Sequence, residues 1–165
     1  MAGIYHNATW RYSIRCAFIR NGRNSSRPQP FSQTEKELLL KACDYTFYGK
    51  TVALVENPNA FRDKAFTLAQ VETGWTIPRL CDLTLMDIDL ENVNVSGVSL
   101  SRSAFSILKA YLEEWIAHNM YKPMDRPFLV HGNRLLSIFE YTALFSRLEY
   151  LTGVSLAYSR LHGKN

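Results

Sequence analysis

Five arginines come before the first acidic side chain. Arg11, Arg15, Arg20, Arg23 and Arg27 all lie within residues 1–34, and Glu35 is the first carboxylate. The whole chain of 165 residues holds 19 basic and 15 acidic side chains, so the remainder holds 14 and 15. The excess positive charge is therefore confined to the N-terminal fifth. A cluster of guanidinium groups without counter-charges is suited to phosphate, which makes nucleic acid the first candidate partner. Other chemistry is thinly represented. His6, His118, His131 and His162 have no metal-ligand spacing, and Cys16, Cys43 and Cys81 stand far apart in apolar surroundings. They read as three buried, reduced thiols. Gly74 and Gly97 stand alone, so no phosphate-cradling glycine loop is indicated. Asp87, Asp89 and Glu91 alternate and would share one face of a strand, an arrangement that a divalent cation or a tight turn could use.

The elements that must position these groups follow from periodicity and caps. Residues 10–19, WRYSIRCAFI, alternate: Trp10, Tyr12, Ile14, Cys16 and Phe18 on one side, Arg11, Ser13, Arg15 and Ala17 on the other. That predicts a half-buried strand with arginines on its open face. Residues 21–30 are rich in Asn, Gly, Ser and Pro and read as a linker. Ser32 and Glu35 form a capping box that opens a helix expected to reach Phe47, with Leu38, Leu39, Ala42 and Tyr45 inward. Gly49 breaks it, and residues 48–58 are expected to form a loop or short turn. Ala65, Leu68, Ala69 and Glu72 share one helical register that Gly74 stops. Thr76 and Pro78 begin a second, short helix. Leu80, Leu83 and Leu85 then lead into the core, and Ile88 starts a strand. Val93, Val95, Val98 and Leu100 around Ser96-Gly97 predict a very short hairpin. Ser101 or Ser103 caps a long helix reaching about Met120, with Phe105, Leu108, Leu112, Trp115 and Ile116 as its buried stripe. Residues 127–130, PFLV, read as a strand. Ser137 and Glu140 cap a last helix ending at Gly153, with Ile138, Tyr141, Leu144, Phe145 and Leu148 inward.

The sum is an α+β chain, mainly helical, with a small antiparallel sheet. It divides into a basic arm over residues 1–30 and a domain over residues 31–165. Apolar residues make up 47% of the chain, enough for a packed core. No apolar run is long enough to span a bilayer and no signal peptide is read, so a cytoplasmic protein with no membrane partner is expected.

The order of these motifs resembles the catalytic domain of tyrosine recombinases (phage integrases). The match runs from about residue 31 to residue 162. Arg62-Asp63, Thr73-Gly74 and Asp87-Ile88-Asp89 correspond in order and spacing to the family's Arg-Asp, Thr-Gly and Asp-Ile-Asp runs. The capped helix at Ser32, VSLSRSAFSILKAYLEEW and PFLVHGNRLLSIFEYTALFSRLEYLTGV follow in the family's succession. The resemblance implies a recombinase-like core and makes Asp87, Asp89 and Glu91 a structural turn. It also implies that Arg79, Arg102, Arg134 and Arg160 line the DNA face.

The family's chemistry does not carry over. Its first catalytic arginine falls at Thr76, and the glutamate that follows falls at Arg79, which lies one turn from Thr76. The hairpin from Asn94 to Val98 lacks the family's lysine. The His-x-x-Arg box falls on Ala157 and Arg160 in one register, or on Tyr158 and Leu161 in another, with His162 trailing. The nucleophilic tyrosine would lie beyond Asn165, and Tyr158 comes too early for that role. The family's N-terminal helical clamp is replaced by the arginine arm. The reading is a non-cleaving DNA-binding protein, regulatory or accessory to a mobile element and needing no cofactor or metal. Double-stranded DNA would meet Arg11, Arg15, Arg20, Arg23, Arg27, Arg79, Arg102, Arg134 and Arg160. Two alternatives stand beside it: an interaction module that pairs with itself or with an active recombinase, and a weak or partner-complemented recombinase.

Overall fold

A computed structural model describes residues 30–119, 122, 124–131 and 134–157. The predicted strand at residues 10–19 and the arginines of the arm lie outside the described residues, as do Tyr158, Arg160 and His162. The architecture is α+β and mainly helical. Among the described residues five α-helices surround one core: α1 (Gln33–Ala42), α2 (Ala60–Thr73), α3 (Ile77–Cys81), α4 (Arg102–His118) and α5 (Ile138–Thr152). Between them, among the described residues, lie three small antiparallel sheets rather than the single one expected. β1 (Tyr45–Phe47) pairs with β2 (Leu54–Glu56), and β3 (Ile88–Asp89), β4 (Asn94–Val95) and β5 (Val98–Ser99) form a meander. β6 (Val130–His131) pairs with β7 (Arg134–Leu135). No helix among the described residues is long and apolar enough to cross a membrane.

α2 is the central element. It packs on α1, α3 and α4, and all its residues from Ala65 to Val71 are buried. Phe66 stacks on Tyr141 of α5 and meets the edge of Phe128. The helix ends where its sequence says it must, with Gly74 in the left-handed conformation at φ 70°. The caps of α1 and α4 also form as read. The Ser32 hydroxyl accepts from the Glu35 amide, and the Ser101 hydroxyl accepts from the Ala104 amide. At α5 the Glu140 carboxylate accepts from the Ser137 amide at 2.9 Å.

Several boundaries differ from expectation, each for a local reason. α1 stops at Ala42 instead of reaching Phe47. Asn57 takes the two carbonyls that follow α1, with Nδ2 donating to the Cys43 oxygen and the Asn57 amide donating to Asp44. Tyr45, Thr46 and Phe47 then pair with residues 54–56, so the expected loop at 48–58 is the tip and second strand of a hairpin. Leu38 and Tyr45, expected inward, are exposed, as is Ile138 on the first turn of α5. The predicted strand at 127–130 is a turn until Val130. The Pro127 and Phe128 carbonyls serve side chains of the flanking helices, while the Leu129 carbonyl accepts from the Leu136 amide and Val130 pairs with Leu135. The Tyr111 hydroxyl donates to Pro127, the Tyr141 hydroxyl to Phe128 and the Trp115 indole to Val130. Tyr111 belongs to the buried stripe of α4 beside Phe105, Leu108, Leu112 and Trp115, while Ile116 is only half-buried.

Cys43 and Cys81 are buried free thiols. Burial pushes both up to about 12, and the neighbouring carboxylates Asp63 and Asp82, respectively, add to the shift. Cys16 lies outside the described residues.

Candidate nucleic-acid interface

The arginines of the described residues fall into two groups. Arg62, Arg126 and Arg147 are paired with carboxylates, whereas Arg79 and Arg102 form no ion pair with any described residue. Those two were picked out by the sequence, and both are exposed. Arg134 lies on β7, where only its backbone is described.

Arg79 is positioned by the start of α3. Thr76 takes an extended backbone and its hydroxyl accepts from the Arg79 amide at 3.4 Å, so Thr76 is a helix cap. The Arg79 guanidinium lies over the buried Trp75 ring, 3.9 Å from its centre. A cation over an indole ring is held by the ring's quadrupole, and an exposed guanidinium suits phosphate. Arg79 thus acts on Trp75 and not on Thr76.

Arg102 is the first residue of α4, and a carboxylate organises the space beside it. Glu72, near the end of α2, accepts from the Ser101 hydroxyl at 2.6 Å, the Ser101 amide at 2.7 Å and the Lys36 ammonium at 2.9 Å. Lys36 belongs to the first turn and a half of α1. The amino ends of α1 and α4 therefore meet at one carboxylate at the carboxyl end of α2. Aligned peptide dipoles make the amino ends positive, and Lys36 and Arg102 add full charges there. Burial opposes ionisation of Glu72, but the Ser101 and Lys36 contacts outweigh it and hold its carboxyl below the usual range. One carboxylate thus joins three helices.

The sequence reading missed the main polar cluster of the core. Asp63 is 2% exposed. Its Oδ1 accepts from Arg62 Nε at 3.0 Å and Nη2 at 2.7 Å, and its Oδ2 accepts from Arg147 Nη2 and Asn57 Nδ2, each at 2.8 Å. Arg147 also donates to Thr46 Oγ1 at 3.1 Å, and the Arg62 guanidinium sits 5.6 Å from the Tyr141 ring centre. Burial alone would lower the Arg62 pKa, but the Asp63 carboxylate outweighs it and raises it. The residues before α2, α2 itself and α5 meet at this carboxylate, and Arg147 links β1 to it through Thr46. The one sequence signal was the Arg62-Asp63 pair; nothing marked Asn57 or Arg147 as its partners.

The acidic run after α3 is occupied by turns. Asp87 accepts from the Thr84 amide and hydroxyl, each at 2.8 Å, and these contacts hold its carboxyl low. Asp89 accepts from the Asn92 side chain at 2.8 Å and the Asn92 amide at 2.9 Å. Among the described residues no group of three His, Cys, Asp or Glu side chains is placed to hold a metal ion. Comparison of the chain with protein-family models, curated proteins and solved structures finds no match.

Proposed function

We propose that this chain is a non-cleaving DNA-binding protein built on a tyrosine-recombinase-like core. The observation that carries the reading is Thr76. In the motif order, this position belongs to the family's first catalytic arginine, and here its side chain caps a helix. Phosphoryl transfer to a tyrosine needs fixed positive groups around the phosphate in the transition state. A capping hydroxyl supplies none, and the hairpin from Asn94 to Val98 offers no lysine. What remains is charge suited to holding a phosphate backbone: exposed Arg79 on its Trp75 platform, Arg102 at the amino end of α4, and the five arginines of the arm. The succession of α2, its glycine stop, the capped α3, the β3–β5 meander, α4 and α5 supports the fold side of the proposal.

Filter binding to duplex DNA over a salt series tests it. If about five arginines meet phosphates, the logarithm of affinity falls with the logarithm of salt with a slope near −4.5. Absence of duplex binding at low salt overturns the reading. A covalent protein–DNA product on a nicked suicide substrate would overturn the non-cleaving part alone.

A second reading, a protein-interaction module, is favoured by the exposed apolar side chains at the start of α5. Leu135 is 79% and Phe139 82% exposed, and Ile138 lies beside them. Light scattering of the Phe139→Ser variant tests it: a higher-order species that the variant abolishes, with DNA affinity unchanged, would favour this reading.

A further inference from the structure

One face of α5 stands apart from the core. The core side of the helix carries Tyr141, Leu144, Phe145 and Leu148. On the opposite side Phe139, Thr142, Ala143, Ser146 and Tyr150 fall within a stripe about 100° wide. Phe139 is 82% and Tyr150 69% exposed, and Thr142 and Ala143 are exposed between them. The Phe47 ring meets Tyr150 edge-on and leaves it that exposure. The stripe carries no charge, because the charged side chains of the helix are engaged beside it. Glu140 accepts from the Ser137 amide, Arg147 donates to Asp63 and Thr46, and Glu149 accepts from the Leu156 amide at 2.6 Å. The two hydroxyls of the stripe donate within their own helix, Thr142 to the Ile138 carbonyl at 3.3 Å and Ser146 to the Thr142 carbonyl at 3.1 Å. Such a face has few groups that lose hydrogen bonds when water leaves it.

We infer that this face pairs with the same face of a second copy of the chain, the two α5 helices running antiparallel about a two-fold axis. This pairing deepens the interaction-module reading, on which it rests, and is independent of DNA binding. The order of side chains identifies the occupant. Phe139 precedes Ala143 by one helical turn and Tyr150 follows Ser146 by one turn, so the stripe reads large, small, small, large from either end. Reversed against itself, it sets Ala143 opposite Ser146 of the second copy at the centre. At both ends Phe139 of one copy then meets Tyr150 of the other. Two helices that cross approach closest at the crossing, where small side chains are needed, and diverge towards the ends, where aromatic rings fill the gap. The antiparallel arrangement also brings the positive amino end of each helix beside the negative carboxyl end of the other. Four aromatic rings and the small side chains between them would bury roughly 800–1,000 Å² in total, the size of a weak and reversible contact.

Light scattering of the full chain over a dilution series should show a reversible equilibrium between monomer and dimer. Phe139→Ser and Tyr150→Ser should each weaken the dimer about tenfold or more. Both side chains are exposed, so circular dichroism should stay unchanged. Orientation is read by disulfide trapping in a Cys16→Ser background, where Cys43 and Cys81 are buried. Phe139→Cys mixed with Tyr150→Cys should form an intermolecular disulfide. Either variant alone should not, since like positions then lie about 16 Å apart along the axis. The mixed pair keeps one intact contact between Phe139 and Tyr150, so the interface survives the substitutions. A chain that stays monomeric at every concentration overturns the inference together with self-association. Trapping within a single variant overturns the antiparallel pairing alone and keeps the interaction-module reading. A dimer without trapping in the mixture does the same, as does a dimer that Phe139→Ser abolishes and Tyr150→Ser leaves intact.

Discussion

Arg147 and Arg79 carry the same guanidinium in opposite settings. Arg147 reaches into the core, where Thr46 accepts from its Nη1 and Asp63 from its Nη2. Arg79 lies on the surface, with a flat indole beneath it and no described carboxylate beside it. Around Asp63 two guanidinium groups share one carboxylate and hold together segments that are distant in sequence. Around Glu72 the arrangement is looser: one carboxylate takes the Lys36 ammonium and the Ser101 amide and hydroxyl. An arginine's contribution is set by what desolvates it and what opposes its charge. A count of arginines therefore cannot separate a structural ion pair from a phosphate contact.

The sharpest way to break the comparison is at Asp63. Asp63→Ala leaves two largely buried guanidinium groups without their carboxylate and should destabilise the chain by about 3–5 kcal/mol. Urea unfolding would measure this, and a loss below about 1 kcal/mol would mean that the cluster is not the structural node described.

Glu72 should give a smaller, pH-dependent effect. Its folded pKa is lowered, so its stabilising contribution is complete above the unfolded value near 4.5 and is lost as pH falls through the folded value. Glu72→Gln should cost about 1–2 kcal/mol at pH 7 and flatten the loss of stability below pH 4.5. Denaturant curves between pH 7 and pH 3 check both parts. A variant that keeps the full acid sensitivity would show that other carboxylates govern it.

Arg79 should change stability least. Arg79→Ala removes one exposed cation–π contact, at a cost of about 0.5–1 kcal/mol. In DNA binding the order reverses: this variant should reduce the salt slope by about 1, whereas a folded Glu72→Gln should leave it unchanged or strengthen binding. An unchanged slope for Arg79→Ala would separate Arg79 from the proposed interface.

Caps and stops were the most legible features because they depend on neighbours in sequence. Ser32 with Glu35, Gly74, Thr76 with Pro78, Ser101 and Gly153 all lie where the chain says they should. Failures came where a distant group competed for the backbone. Asn57 held the carbonyls that follow α1, and Tyr111 and Tyr141 drew the Pro127 and Phe128 carbonyls away from strand pairing. No periodicity within a segment reports such competition. Leu38, Tyr45 and Ile138 fell on apolar registers but found no partner surface close enough to bury them.

The sequence by itself determined which segments are helical, where most of them start and stop, and that positive charge is concentrated before Glu35. These are local properties: side-chain spacing, capping hydroxyls, the conformational freedom of glycine and a count of charges. Only the tertiary structure decided which charges are spent inside the protein. The joining of Asn57, Arg62, Asp63 and Arg147, and of Lys36, Glu72 and Ser101, depends on how helices pack. Packing brings together side chains that sequence separates, and burial then fixes whether a charge is structural or available.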